Sequence, residues 1–291
     1  MNPKKAHWLL VALTIIWGYS FIAISDAAKT LAPETLLFWR FLIASGILTV
    51  MAVMRKAHLP WKEGAIAGIM FSISYLAQTV GLIHTNASVA AFITGLLVIF
   101  TPMFEGIVNK KAPSVQVWIS SLIALGGTYL LVGGASGSSS LYGIILLLAC
   151  SIGFSIHLVY IGGKNHLDPI AFVAVQCLVM TLFFSVLAMG NNTFAWPGAG
   201  LRGVLFLALL ATALGLSLQV YAQKYIPPSK ASLIFSLEPV FATIFAALIL
   251  GEAMTKQSLI GMVLIFFATI IVEVEFNWRT QKEVSQQENG L

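Results

Sequence analysis

The sequence predicts an all-α integral membrane protein of ten transmembrane helices, arranged as two inverted five-helix repeats with both termini cytoplasmic. Three observations predict it. Of 291 residues, 58% are hydrophobic and only 9% charged, and the mean hydropathy is +0.92, a balance that soluble domains do not reach. Apolar runs near spanning length recur along the whole chain. Short residue patterns then return at nearly constant offsets in its second half.

At a rise of about 1.5 Å per residue, about 20 residues cross the hydrocarbon, and each run is taken in turn. Residues 8–25 follow Lys4-Lys5 and superficially resemble a secretory signal, but Trp17-Gly18-Tyr19 is no small-x-small cleavage site, so this is a retained first helix. Residues 35–53 follow Pro33 and carry Arg40. In 65–83 the stripe Gly64, Gly68, Ser72 reads as a close helix contact, while Ser74 and Gln78, with Tyr75 and Thr79 beside them, bring polarity. Residues 87–108 contain Pro102 and Glu105 and stop before Lys110-Lys111; 115–132 run into a glycine and serine stretch. Residues 141–161 hold Gly153, His157 and Tyr160, and 170–189 follow Pro169. Residues 204–221 begin a stripe of Ala211, Gly215, Gln219 and Gln223 at four-residue spacing. Residues 231–250 enclose Ser236-Leu237-Glu238-Pro239, and 258–274 close the series. The runs are continuous rather than alternating, which excludes a barrel.

Alternating the loops from a cytoplasmic N-terminus places Lys4, Lys5, Arg55, Lys56, Lys62, Lys110, Lys111, Lys164, Lys224, Lys230, Arg279 and Lys282 inside. Only Lys29, Arg202 and Lys256 fall outside. This positive-inside bias predicts that both termini are cytoplasmic. The net charge of +5 therefore reports topology, and no nucleic-acid partner is expected. Cys150 and Cys177 lie within apolar runs, so neither a disulfide framework nor a metal site is suggested.

The repeat is visible in register. Trp17-Gly18-Tyr19-Ser20-Phe21 aligns with Ile152-Gly153-Phe154-Ser155-Ile156 at an offset of 135, and Pro33 with Pro169 at 136. Ser88 pairs with Ser229 and Gln116 with Gln257, both at 141. The expected units are residues 1–134 and 141–276, joined by a linker at 135–140 and followed by a disordered cytoplasmic tail at 277–291. Five helices are an odd number, so the second unit must enter the membrane upside down, the design in which a solute site lies near the midplane between repeats. Pro102 and Pro239 are offset by 137 rather than 141, which predicts helix breaks about one turn apart in the two halves.

Trp17-Gly18 with Ser20-Phe21, Pro33, Arg40-Phe41, Pro102, and Ser236-Leu237-Glu238-Pro239-Val240-Phe241-Ala242 followed by Gly251-Glu252 resemble the drug/metabolite transporter superfamily, EamA type. The resemblance spans both halves, about residues 8–274, and the second-half Leu-Glu-Pro and Gly-Glu elements are its most specific part. The first half departs from it: where many relatives carry Gly-Glu after the fourth span, this chain has Lys110-Lys111, and Glu105 lies within the span instead. The resemblance implies ten helices, a central cavity lined by spans 1, 3, 4, 6, 8 and 9, and movement of small metabolites, often amino acids, usually outward.

Candidate solute-binding residues are Gln78, Gln219, Gln223, Ser74, Tyr75, Tyr160, Trp17 and Tyr19. Amides facing lipid would be left unsatisfied, so the glutamine stripe faces protein or water. Gln78 and Gln219 share the 141-residue offset and are placed to meet near the pseudo-symmetry axis. They either hydrogen-bond a polar, zwitterionic solute or serve as interhelical glue worth about 0.6 kcal/mol per bond. Trp17, Tyr19 and Phe21 suit either an aromatic wall or helix packing.

Candidate coupling and gating residues are Glu238, His157, Pro102 and Pro239. A carboxylate inside an apolar run is expensive: Glu238 either exchanges a proton and pairs with a substrate ammonium, or caps backbone freed by Pro239 and pairs with Lys230. His157 is either a proton relay or a hydrogen-bonded packing residue. Arg40, near the outer end of its span, is expected to snorkel or to pair with Glu34, with an anion-binding role as the lesser alternative. Enzyme motifs are absent from the sequence, and neither a cofactor nor a nucleotide-driven engine is expected. The expected function is secondary transport, in the export direction, of small polar metabolites such as amino acids by alternating access, with uncoupled facilitation or a channel-like pore as the alternative. Expected partners are a small-molecule substrate, protons as the coupling ion, the bilayer of the cell's inner (plasma) membrane, and a second copy in a homodimer as an alternative to a monomer.

Overall fold

The computed structural model of the chain describes residues 3–85, 87–132, 140–250 and 254–271. Gly251-Glu252, linker residues 135–139 and the tail at 277–291 lie outside the described residues, as does the side chain of Ser88. The described chain is helical throughout: α1 Pro3–Ala27, α2 Pro33–Met54, α3 Trp61–Ile83, α4 Ala87–Gly95, α5 Leu97–Asn109, α6 Val115–Val132, α7 Leu141–Gly162 and α8 Pro169–Gly190. There follow α9 Gly198–Ala222, α10 Pro228–Phe235, α11 Glu238–Leu250 and α12 Lys256–Ile271. Eight described segments are long and apolar enough to cross a membrane, with α4–α5 and α10–α11 each contributing to one of them. The helices at Val115–Leu131 and Lys256–Ile271 are apolar but shorter. Trp8, Val50, Met54, Leu182, Val186, Leu248 and Phe267 point outward, as expected of a surface solvated by lipid.

Local chemistry sets the helix boundaries. Asp168 caps α8 by accepting from the Ala171 amide at 2.9 Å, with Pro169 in the first turn. Ser140 caps α7 by accepting from the Gly143 amide at 3.1 Å. Lys110 adopts a left-handed φ of 50° and ends α5.

The two broken spans correct one expectation. The interruptions lie at Leu96 and at Ser236-Leu237, so Leu96 and Leu237 keep the 141-residue offset and the breaks do not differ by a turn. Pro102 sits inside α5, beyond the break. Thr94-Gly95, weak helix formers, precede the first interruption, and the Thr94 carbonyl accepts from Ser151 Oγ at 3.1 Å. In the second half Pro239 occupies the first turn of a new helix, where its missing N–H carries no penalty.

Helices in lipid associate by close packing rather than by hydrophobic burial. Gly64 and Gly68 abut Val175, Gln176 and Val179 on α8, so closely that a Cβ at either would collide. Gly127 and Gly261 meet backbone to backbone, joining α6 to α12. Gly18 lies against Phe241 and Ala242 of α11. One polar contact also ties the halves together: Glu105 at the end of α5 accepts from the Ser229 amide at 2.9 Å and from the Ser229 hydroxyl, in the first turn of α10. Carboxylate and helix N-terminus stabilise each other there. Glu105→Ala is therefore expected to destabilise the protein by about 1–3 kcal/mol, read as a lower midpoint of unfolding in detergent; an unchanged midpoint would show that this cap contributes nothing.

Candidate functional site

The two breaks face one partly enclosed cavity of about 60 Å³, room for a few waters. Its lining comes from α1, α3, the α4–α5 break, α7, α9 and the α10–α11 break, which are the six spans implied by the family resemblance. A seventh contributor, α2, supplies Arg40. The walls are aromatic and aliphatic, including Phe21, Phe71, Phe154 and Phe235, and the polar groups set among them are few.

Of the expected solute-binding residues, Trp17, Tyr75, Gln78 and Gln219 line this cavity together with Glu238 and His157. Trp17 donates Nε1–H to the Ala211 carbonyl at 2.9 Å, which leaves its ring face for the cavity. Gln219 donates to Gln223 Oε1 at 3.3 Å, while its own Oε1 is buried without a partner among the described residues. No hydrogen bond joins Gln78 to Gln219; they share the cavity rather than each other.

The remaining expected residues are placed elsewhere. Ser74 bonds the Met70 carbonyl at 2.9 Å and packs against Gly153, so it belongs to the α3–α7 contact. Gln223 lies a turn beyond Gln219 and donates to the Leu158 carbonyl at 2.9 Å. Tyr19 turns away from the cavity toward Phe206 and Phe245. Tyr160 donates to the Glu63 carbonyl at 3.3 Å and stacks under Lys164. Pro102 is buried within α5, and Pro239 lines a narrow crevice that shares Glu238, Thr94 and Leu97 with the main cavity.

His157 is fully enclosed, stacked on Phe71 with ring centroids 3.6 Å apart. One ring nitrogen lies 3.3 Å from Gln176 Oε1, and Nδ1 has no partner among the described residues. The carboxylate of Glu238 makes neither a hydrogen bond nor an ion pair among the described residues, so neither backbone capping nor pairing with Lys230 accounts for it there.

Arg40 departs most from expectation. It does not snorkel: only 2% of its surface is exposed. It does not pair with Glu34, which instead accepts from Asn191 at 3.0 Å and Thr193 at 2.9 Å. The guanidinium donates from Nε to Thr212 Oγ1 at 2.7 Å and from Nη2 to the Tyr75 hydroxyl at 3.4 Å. It lies 4.7 Å from the centroid of the Tyr75 ring, while Nη1 is buried without a partner. Thr212 and Ala211 are presented by a π-helical stretch, Leu207–Leu214; such wide turns often mark functional positions. By the Pro33/Pro169 offset, the counterpart of Arg40 in the second half is the neutral Gln176. The signal for Arg40 was its charge within an apolar run, the same signal that singled out Glu238.

A multi-pass helical membrane protein with a mainly apolar cavity, set with a few polar and ionisable groups, between its halves is thus defined. Residues 4–133 and 141–274 each match the EamA-like transporter family, and the chain belongs to that family. It is similar to an uncharacterized transporter of Archaeoglobus fulgidus, at 30% identity over 91% of this chain and 84% of that protein. The uncharacterized inner membrane transporter YedA of Escherichia coli is 25% identical over 90% and 89% of the two chains, and the uncharacterized transporter YdfC of Bacillus subtilis is 25% identical over 88% and 86%. One crystal structure superimposes with a TM-score of 0.80 at 16% identity, covering 94% of this chain and 98% of the other, and speaks to the fold alone.

Two aromatic residues only two positions apart provide a local test. Trp17→Phe removes the bond to Ala211 at the cavity wall and is expected to raise the KM for solute about threefold to tenfold, whereas Tyr19→Phe is expected to leave KM unchanged. The reverse pattern in vesicle uptake would misplace the wall.

Proposed function

We propose that the protein is a secondary transporter of small polar metabolites such as amino acids, working by alternating access around the central cavity and serving chiefly in export. In this reading the two family-matching halves form inverted five-helix repeats, ten spans in all, in the inner membrane with both termini in the cytoplasm. The observation that carries the reading is the convergence of both helix interruptions on one cavity between the halves. Interrupted helices bring polar side chains toward the point where repeats meet, and such sites bind solute near the midplane. Gln78, Gln219 and Tyr75 supply hydrogen-bonding groups, and the aromatic walls accommodate an apolar side chain.

Rocking of one half against the other then opens the cavity to either side in turn. Its size of about 60 Å³ fits a contracted conformation that must widen to admit a metabolite. Glu238 is the group proposed to carry the coupling proton, because it is ionisable, lines the cavity and has no competing partner among the described residues. The reading is the same for a monomer and for a homodimer, since each chain carries its own cavity.

Purified protein in proteoliposomes tests this with labelled amino acids and an imposed pH gradient. Saturable accumulation that collapses with a protonophore is expected. Saturable uptake without accumulation would mean an uncoupled facilitator, and non-saturating conductance a pore. Gln78→Ala combined with Gln219→Ala is expected to reduce transport at least about tenfold at wild-type abundance. Glu238→Gln is expected to abolish the pH dependence of the remaining flux; a variant that keeps it in full would remove Glu238 from the coupling step.

A further inference from the structure

We infer that Arg40 forms an anion subsite of the central cavity and that the transported solute carries a carboxylate which docks on the free Nη1 edge of its guanidinium. The inference rests on the transport reading above and adds to it a residue and a chemical requirement.

A guanidinium offers five N–H donors in a rigid planar fork. The Nε donor and one Nη2 donor of Arg40 are engaged by the neutral hydroxyls of Thr212 and Tyr75, and the group is held against the Tyr75 ring. These contacts fix its plane but leave its charge uncompensated. Nη1 is buried without a partner, and no carboxylate among the described residues lies within ion-pair distance. A structural arginine would be costly in this form, because removing a cation from water is repaid only by an opposing charge and full hydrogen bonding. A solute carboxylate supplies both and matches the fork.

The cavity also explains why that charge is not neutralised from within. Glu238 lines the same space from the α10–α11 break, yet the two groups form no ion pair. Arg40 on α2 and Glu238 on α11 thus line one cavity with no ion pair between them among the described residues. A solute bearing both a carboxylate and an ammonium satisfies the two poles at once, and the unpaired Gln219 Oε1 gives the ammonium a further acceptor. A polyol or an unmodified amine leaves Arg40 unpaired and is selected against for that reason.

The aromatic walls suggest a matched series of probes: L-phenylalanine, L-phenylalaninamide, 2-phenylethylamine and 3-phenylpropanoate. Each competes against labelled L-phenylalanine for the purified full-length protein, and each is also offered to proteoliposomes. L-phenylalanine and 3-phenylpropanoate are expected to outcompete the amide and the amine by at least about tenfold. Arg40→Gln is expected to erase that preference while retaining weak binding of the amine, which reports a folded cavity. Arg40→Lys, which keeps the charge but loses the fork, should restore part of the preference. Amide or amine binding that equals L-phenylalanine in the wild type, or a preference unchanged in Arg40→Gln, would overturn the subsite. Equal transport of amine and amino acid would overturn the subsite and leave the transport reading standing; failure of the whole series to bind or cross the bilayer would count against both.

Discussion

Within hydrocarbon no water repairs an unsatisfied polar group, so every carbonyl, amide and charge must find a partner inside the bundle or face a wet cavity. That constraint organises this molecule. Ordinary spans meet it with uninterrupted helices and with many serine and threonine hydroxyls returned to their own backbone, as Ser72, Thr79, Thr128 and Thr269 do, although the buried hydroxyls of Thr49, Ser120, Ser121 and Ser217 have no partner among the described residues. Two spans are interrupted, and their interruptions face the same enclosed space. Arg40, Glu238, Gln219 and His157 each bring to it a group that the rest of the bundle leaves wholly or partly unpaired. Stability alone would favour apolar residues of similar volume at these positions, so their concentration in one place marks where the chain trades stability for chemistry.

The halves meet through contacts of two kinds, and the division suits a rocking carrier. Where backbones must lie close, glycines permit it: Gly64 and Gly68 against α8, Gly18 against α11, and Gly127 against Gly261. Around the cavity, by contrast, side chains are long and aromatic. The pseudo-symmetry is also broken where chemistry is concentrated. Arg40 corresponds to the uncharged Gln176, which partners His157, and the acidic residue beside one break has no acidic counterpart beside the other. Two similar scaffolds thus line one cavity with different groups.

Much of this was legible in the sequence. Composition and run length point to a helical membrane protein, but the prolines misplace the breaks, which fall instead at Leu96 and Leu237, 141 residues apart. Helix rotation and depth were harder to read. At about 100° per residue, Tyr19 points away from Trp17 although only two positions separate them. Residues four apart share a face but differ by about 6 Å in height, so Gln223 and Ser74 fall outside a cavity that holds Gln219 and Gln78. The position of Arg40 near the outer end of its span suggests an escape to the interface that the fold does not allow. The packing of α2 against α8 and α9, invisible in linear sequence, closes that route and leaves the side chain no environment except the cavity.

The claim that this cavity is the transport route is tested most directly by chemical access. Ser20 lines it and is nearly enclosed, and the two native cysteines, both buried, can be replaced by alanine. With Ser20→Cys in that background, a membrane-impermeant maleimide is applied to right-side-out and to inverted vesicles, with and without L-phenylalanine. Alternating exposure predicts labelling from both faces and slower labelling when solute is present. Labelling from neither face, or a rate that solute leaves unchanged, would contradict it.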